Sequence, residues 1–174
     1  MEIRPATFKD LDAVSAVEAA CFPAAEAATP AEFAERLRHY GSHFWLMFDS
    51  EKLIGFVDGM VTDRADLIDD LYAQASLHDE NGAWQMIFGV NTIPEYRKHG
   101  YAGDLIKRAI SDAKAQGRKG LVLTCKDKLI LLFIRSSRNR HTAILISHKI
   151  LCGCQIPAKW FSKWSRFSGI SLMI

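Results

Sequence analysis

The sequence predicts a single α/β (α+β) domain in which helices flank a mixed central sheet. Three observations indicate this class: a length of 174 residues, strand and helix patterns that alternate along the chain, and a helical segment between two apolar runs. A chain of this length buries roughly two thirds of the surface that its unfolded form exposes. The pattern stops near residue 130, so we expect the C-terminal strands to be altered or missing.

The N-terminal part of the chain predicts one strand and two helices. Residues 2–7 form the strand, and the apolar residues of 8–22 recur at helical spacing. The second helix begins at Thr29–Glu32, where Thr caps the helix, Pro takes the first helical position and Glu follows three residues after the cap. This helix ends at Gly41.

The middle of the chain predicts a hairpin, a polar loop, a central strand and a strand-helix-strand unit. Aromatic-rich apolar runs on both sides of the turn sequence DSEK give the hairpin, and a long apolar run gives the central strand. The predicted elements are the hairpin strands 43–49 and 52–61, the loop 64–82 with a short helix, the strand Ala83–Thr92, the helix Tyr101–Gly117 and the strand Gly120–Cys125.

The helix between Thr92 and Gly120 is expected to cross over between two parallel strands. The segment NTIPEYRKHGYAGDLI then lies at a strand's carboxyl end and at a helix's amino end, where open α/β sheets bind ligands. Unpaired amides, the helix dipole and the basic residues Arg97 and Lys98 favour a phosphate group there. Gly100 and Ala102 leave room for it. The glycine spacing is neither that of a Walker loop nor that of a Rossmann motif.

The spacing P-x-x-R-x-x-G-x-A resembles the pyrophosphate-binding motif of the GNAT N-acetyltransferases, and Arg97, Gly100 and Ala102 occupy its defining positions. The resemblance is to the arylalkylamine N-acetyltransferase branch and its bacterial relatives, through ACFPAAEAATPAEFAERL at Ala20–Leu37 and TCKDKL at Thr124–Leu129. It covers about residues 1–130, the predicted acetyltransferase core.

This resemblance implies a GNAT fold and a transfer of acetyl from acetyl-CoA to a small primary amine, which attacks the thioester directly. It implies that backbone groups of the central strand bind the pantetheine arm and that the following loop binds the pyrophosphate. The expected cofactor-binding residues are Val90, Thr92, Arg97, Lys98, His99, Gly100, Tyr101 and Ala102.

The residues for proton transfer depart from the family pattern. Two histidines of the arylalkylamine enzymes' central strand correspond here to Met86 and Phe88, and the expected tyrosine corresponds to Phe133, which has no proton to donate. The catalytic residues therefore stay unassigned, and His78, Glu80 and Asn91 are the candidates; either of the first two would act as a base through water. The alternative is a CoA-binding protein without acetyl transfer.

Residues 131–174 form an atypical basic tail rather than a separate domain. All 20 acidic residues precede Lys128, whereas eight of the 22 basic residues follow Asp127. A shift of two nucleotides in His-Tyr-Tyr codons yields Leu-Leu-Phe, the sequence of Leu131–Phe133, so a frameshift near Ile130 would explain the change. The alternatives are a basic, tryptophan-bearing patch for RNA or acidic lipid, and a divergent tail.

Composition and local patterns set the remaining expectations. No uninterrupted apolar span of about 20 residues is present and the N-terminus has no apolar leader, so we expect a cytoplasmic protein without membrane contacts. The cysteines Cys21, Cys125, Cys152 and Cys154 are expected to be free thiols, and no metal is expected, since two cysteines spaced C-G-C do not complete a zinc site. We expect a monomer or homodimer that binds no nucleic acid.

Overall fold

A computed structural model describes residues 1–124 and 143–147. In the N-terminal part a strand leads through a 3₁₀ turn, Phe8–Asp10, into two helices. These elements are β1 (Glu2–Pro5), α1 (Leu11–Cys21) and α2 (Pro30–Tyr40). The predicted capping box is confirmed, because Thr29 N donates to Glu32 Oε2 over 2.7 Å and Glu32 N donates to Thr29 Oγ1 over 3.3 Å.

The remaining elements follow the predicted order. The hairpin strands are β2 (Phe44–Asp49) and β3 (Lys52–Asp58), and the loop holds the short helix α3 (Asp69–Ala73). The predicted strand 52–61 was too long, because Val61–Thr62 forms a separate strand, β4, that pairs with Trp84 and Gln85 instead of with β2. Then come β5 (Trp84–Ile87), β6 (Gly89–Thr92), α4 (Tyr101–Ala115), β7 (Gly120–Thr124) and β8 (Ala143–Ser147). No helix within the described ranges combines the length and the apolar character that a bilayer span requires.

The strands form two four-stranded sheets, in the orders β1-β2-β3-β6 and β4-β5-β7-β8. The first is antiparallel throughout, whereas β5, β7 and β8 are parallel. The parallel pairing of β5 with β7 confirms the predicted crossover through α4. The mixed α/β class is therefore confirmed.

The prediction of one continuous strand over Ala83–Thr92 was wrong at Phe88. The strand breaks there into β5 and β6 because its two halves pair with different neighbours, β5 with β7 and β6 with β3. The amide of Phe88 donates to Asp58 O over 2.8 Å. An ideal Cβ at Gly89 would lie only 2.5 Å from Asp58 Oδ1, so a residue without a side chain is needed beside the break.

Helices cover both faces of the first sheet. Phe44 packs against Phe33 and Tyr40 of α2, with ring centroids 6.3 and 5.9 Å apart. The next residue, Trp45, points to the opposite face, where its indole N–H donates to Asp112 of α4 over 2.8 Å. Burial of each large apolar side chain contributes about 1.5–3 kcal/mol, so these two layers stabilise the sheet that carries β6.

The link between β1 and α1 depends on Asp10. Its carboxylate accepts two hydrogen bonds from Arg4, at 2.6 and 3.0 Å, and one from the Thr7 amide at 2.8 Å. The hydrogen bond from Arg4 opposes the effect of burial and lowers the pKa of Asp10 from 3.8 to about 2. Asp10 therefore stabilises the fold only while it is ionised.

We expect Asp10→Asn to lower the free energy of unfolding by about 1–2 kcal/mol at pH 7, as for the loss of a helix cap and a charged hydrogen bond. Because the folded-state pKa lies below the ordinary value, this contribution is present above pH 3.8 and is lost as the pH falls towards 2. Urea unfolding at pH 7 and pH 3 measures it, with Asp12→Asn, an exposed neighbour in the first turn of α1, as the control. An equal loss at both pH values would contradict the assignment.

Candidate functional site

One edge of β6 is free of strand pairing. β6 pairs with β3 on one side, and the described part of the chain places no strand on its other side. The neighbouring strand β7 pairs with β5 only as far as the Ile87–Leu123 pair. The two sheets therefore part beyond Phe88 and leave backbone hydrogen-bonding groups of β6 exposed at the opening.

The pairing register decides which groups of β6 point into this opening. Ile93 N donates to Ile54 O over 3.0 Å, and antiparallel pairs alternate between bonded and non-bonded. By this alternation Asn91 pairs with Phe56, whereas the N–H and C=O groups of Val90 and Thr92 face the free edge. These are the two residues that were expected to bind the pantetheine arm.

Two side chains already bond to the N–H and C=O groups of Thr92 that face the free edge of β6. Arg97 Nε donates to Thr92 O over 3.0 Å, and the Thr92 amide donates to the Cys21 thiol at the end of α1. Burial raises the pKa of the Cys21 thiol, although Arg97 and the Thr92 amide oppose this effect. A ligand that binds along β6 must therefore displace Arg97 and Cys21 from the edge, or bind beside them.

The loop after β6 ends in an open helix terminus. Lys98 and Gly100 both have a left-handed backbone, with φ values of 67° and 91°. Gly100 has no atom within 4 Å of an ideal Cβ, so its surroundings are open, and no side chain caps α4. Gly100 O accepts from Asp104 N over 3.1 Å, which leaves the first amides of α4 without an intrahelical partner.

The side chains of the loop are exposed and basic. Arg97 turns back to β6, whereas His99 Nδ1 lies 3.3 Å from Tyr96 O and its ring stacks on Tyr101 at 5.7 Å. Tyr96 is held by Asp49, to which its hydroxyl donates over 2.9 Å. Unpaired amides, the positive end of the helix dipole and nearby cations make this terminus suited to a phosphate group.

The candidates His78 and Glu80 come together with His43, which the sequence reasoning missed. Glu80 Oε2 lies 2.9 Å from His43 Nε2 and 3.3 Å from His78 Nε2, and Arg118 donates to Oε1 over 2.7 Å. The pKa of Glu80 is lowered from its ordinary value. Burial opposes this shift, but the hydrogen bond from His43 and the charges around Glu80 outweigh it. Burial, together with the charge of His43, lowers the pKa of His78.

Both ring nitrogens of His43 face a hydrogen-bond acceptor. Gln85 donates through Nε2 to Met60 O and Met86 O, so its Oε1 accepts from His43 Nδ1 over 2.7 Å. His43 Nε2 faces the Glu80 carboxylate, a second acceptor. Glu80 is therefore an ion-pair partner that holds the turn before β5.

His43, His78 and Glu80 each offer a potential metal ligand, and these atoms lie within 4.8 Å of one another. His78 Nδ1, however, accepts the Val61 amide over 3.1 Å, so in the neutral ring the proton lies on Nε2, which faces Glu80. The Arg118 guanidinium also competes with any cation for the same carboxylate. Hydrogen bonds and ion pairs account for this cluster without a metal ion.

The third candidate, Asn91, belongs to a different polar group. Asn91 Nδ2 donates to Glu18 of α1, and the group includes the buried ion pair of Arg36 with Asp58, whose nearest atoms lie 3.1 Å apart. At about 3.3 Å per residue, Asn91 lies roughly 20 Å along the strand from Gln85 of the histidine cluster. The structure therefore does not bring the three candidates into one site.

Sequence reasoning missed Glu18, Arg36 and Asp58. Glu18 follows Val14 by four residues, so it lies on the apolar face of α1, and Asp58 ends an otherwise buried strand. A charged residue at an apolar helical position was the one signal available. Phe133, Cys125 and the tail 131–174 lie outside the described residues, apart from the backbone of β8.

A strand with a free edge that leads into an open helix terminus forms a candidate site for an extended ligand that carries a phosphate group. Comparison with family models identifies the family: residues 11–129 match the acetyltransferase (GNAT) family, and the chain belongs to it. No curated protein matches the sequence significantly.

Solved structures share this fold. The GNAT-like decarboxylase GphF in complex with isobutyryl-CoA is 26% identical with a TM-score of 0.65, over 75% of this chain and 71% of that chain. The loading GNATL domain of CurA from Lyngbya majuscula is 19% identical with a TM-score of 0.64, over 72% and 66%. The ribosomal-protein-S18-alanine N-acetyltransferase from Escherichia coli is 16% identical with a TM-score of 0.57, over 78% and 76%.

We expect Glu80→Gln to lower the free energy of unfolding by about 1–2 kcal/mol at pH 7, because His43 and Arg118 lose a charged acceptor. The loss should shrink as the pH falls below 4.5, since the folded-state pKa of Glu80 lies below that value and its contribution is lost on protonation. Urea unfolding measures it, with the exposed Glu51→Gln as the control. Unchanged stability together with lost acetyl transfer would instead assign Glu80 as the catalytic base.

Proposed function

We propose that the protein is an N-acetyltransferase that transfers the acetyl group of acetyl-CoA to a small primary amine. Acetyl-CoA as the cosubstrate is supported by the family membership and by the acyl-CoA complex of the GphF structure. The primary amine and the arylalkylamine branch are supported by the segments Ala20–Leu37 and Thr124–Leu129 of the sequence.

The open amino terminus of α4 is the observation that carries the proposal. Gly100, with φ of 91°, turns the chain so that the first amides of α4 point outward beside Arg97 and Lys98. The proposed pyrophosphate site is the segment Arg97 to Ala102, with Lys98, His99 and Tyr101 around it. Val90 and Thr92, whose backbone groups face the free edge, are the proposed partners of the pantetheine arm.

When bound, acetyl-CoA supplies an activated acetyl thioester, and the residues of the chain must orient it and manage protons. An alkylamine with a pKa near 10 is mostly protonated at neutral pH, so it must lose a proton before it attacks. Asn91, His78 and Glu80 are the candidates from the sequence, and their surroundings differ. Glu80 is engaged by three donors, whereas Asn91 Oδ1 is buried without a partner in the described structure.

The second candidate function is CoA binding without acetyl transfer. It is favoured by the sequence itself, because no tyrosine follows Tyr101 and the expected general acid corresponds to Phe133. Calorimetry with acetyl-CoA and a thiol-release assay over a panel of amines separate the two functions. Binding with thiol release supports the transferase, and binding without it supports the second candidate. Release of carbon dioxide from malonyl-CoA would indicate a decarboxylase.

Gly100→Glu tests the pyrophosphate site. We expect the affinity for acetyl-CoA to fall at least about tenfold, because a carboxylate would face the pyrophosphate at the helix terminus. Gly117→Glu is a matched control, since Gly117 follows α4, has a φ of 74° and likewise has no atom within 4 Å of an ideal Cβ. Calorimetry gives both affinities. Equal affinities for Gly100→Glu and the unaltered protein would refute the assignment.

A further inference from the structure

Two buried oxygens face the same point beside the break in the central strand. An ideal Cβ built on Gly89 would lie 2.5 Å from Asp58 Oδ1 and 3.8 Å from Asn91 Oδ1. Asp58 and Asn91 are each 1% exposed, whereas Gly89 itself is only half-buried. Both acceptors thus lie on the side of Gly89 where a side chain would be, at the point where the sheets part.

The buried charges around this point do not balance. Asp58 Oδ2 pairs with Arg36, while Glu18, 8% exposed, accepts from the Ala28 amide and from Asn91 Nδ2. No cation within the described ranges pairs with Glu18. Only one guanidinium thus pairs with these two carboxyl groups, and a second buried carboxylate is costly unless a cation or a proton joins it.

The orientation of the Asn91 side chain follows from Glu18. Because Asn91 Nδ2 donates to the Glu18 carboxylate, Oδ1 must point the other way, and it has no hydrogen-bond partner in the described structure. A buried acceptor without a donor is uncommon in folded proteins. A donor that carries a positive charge would satisfy both the Asn91 oxygen and the carboxyl group that lacks a cation.

We propose that Asp58, Asn91 and Glu18 form the binding site for the ammonium group of the acceptor amine, and that Asp58 takes its proton. This inference rests on the proposed acetyl transfer and names the substrate class, since a primary ammonium offers three N–H donors and a positive charge but no acceptor. Asn91 Oδ1 and Asp58 Oδ1 accept two of these donors, and Glu18 balances the charge.

The surroundings of Asp58 suit a proton acceptor. Burial raises its pKa to about 6, with a further increase from Glu18, whereas Arg36 and the Gly89 amide oppose the rise. Tyr40 on α2 is the other titratable group that faces it, and burial together with the charge of Asp58 raises the pKa of that phenol, so it stays neutral. A base with a pKa near the working pH transfers protons efficiently in both directions.

The proton balance of the transfer is complete with Asp58 alone as the base. The ammonium gives one proton to the Asp58 carboxylate and becomes a neutral amine. The amine nitrogen forms a bond to the carbonyl carbon of the thioester as the carbon–sulfur bond breaks. The second nitrogen proton leaves with the thiolate sulfur, so the products are a neutral amide and a thiol. Asp58 then returns its proton to water.

Binding of amines that differ only in N–H donors tests the recognition. The probes are 2-phenylethylamine and its N-methyl and N,N,N-trimethyl derivatives, all cations at pH 7, titrated by calorimetry into the protein with and without saturating CoA. We expect the primary amine to bind at least about tenfold more tightly than the trimethyl derivative, from loss of charged hydrogen bonds. Equal affinities, or no binding of the primary amine, would overturn the proposal.

Glu18→Gln tests the charge and the orientation of Asn91 together. Glutamine has one acceptor oxygen where the carboxylate has two, so when that oxygen accepts from the Ala28 amide its NH₂ group faces Asn91. We then expect the Asn91 amide to turn and present its own NH₂ group to the amine. The affinity for 2-phenylethylamine should fall at least about tenfold while that for acetyl-CoA changes less than about twofold. The control is Glu35→Gln, which removes a charge paired with Arg38 on the exposed face of α2. An unchanged affinity for the amine in a folded Glu18→Gln protein would contradict the role of Glu18.

Asp58→Asn tests the proton transfer. In the unaltered protein kcat/KM should rise with pH through about 6 as Asp58 ionises. The variant should lose this rise, and its kcat should fall by about 100-fold or more. If the unaltered protein does not bind acetyl-CoA, the proposed function is contradicted. The amine titrations without cofactor then test the inference separately. If kcat/KM of a folded Asp58→Asn protein still rises with pH as in the unaltered protein, the role of Asp58 is overturned.

Discussion

The break at Phe88 is the constraint on which the rest of the site depends. One stretch of chain supplies strands to two sheets, so β5 and β6 cannot pair with the same neighbours. This divergence frees one edge of β6 and places Gly89 against the carboxylate of Asp58. The helices on both faces hold the sheet in place, and the loop from β6 to α4 begins at the free edge. The proposed cofactor and amine sites thus share one cause, which is a change of strand partners.

Two polar groups lie on either side of Tyr40, and they differ in how fully their atoms are paired. Tyr40 lies 5.7 Å from the His78 ring and 6.2 Å from the Phe88 ring, between the histidine cluster and the break. In the histidine cluster the ring nitrogens of His43 and His78 and the Glu80 carboxylate all have hydrogen-bond partners, as expected for a structural role. The group around Asp58 keeps an unpaired oxygen on Asn91 and a carboxyl group, Glu18, that no cation in the described part of the chain pairs, as expected where a ligand supplies the missing donor.

Local patterns predicted much of the fold and part of the site. The capping residues Thr29 and Glu32 lie where the sequence placed them, and so does the crossover helix. The loop Arg97–Ala102 was predictable because adjacent residues build an anion site from their own backbone. Glu18 and Asp58 could not be predicted, since 40 positions separate them in the sequence and only the packing of α1 and α2 on β3 brings them together.

The sequence by itself determined the class of fold and the family and placed the proposed phosphate-binding loop, because periodicity, caps and a short motif act through neighbouring residues. Only the tertiary structure decided where the central strand breaks and which buried polar groups meet there. A strand's pairing partners and a buried charge's neighbours come from distant segments of the chain, so no local spacing encodes them. The orientation of Asn91 shows this most plainly, since a carboxylate on α1 sets the direction of an amide on β6.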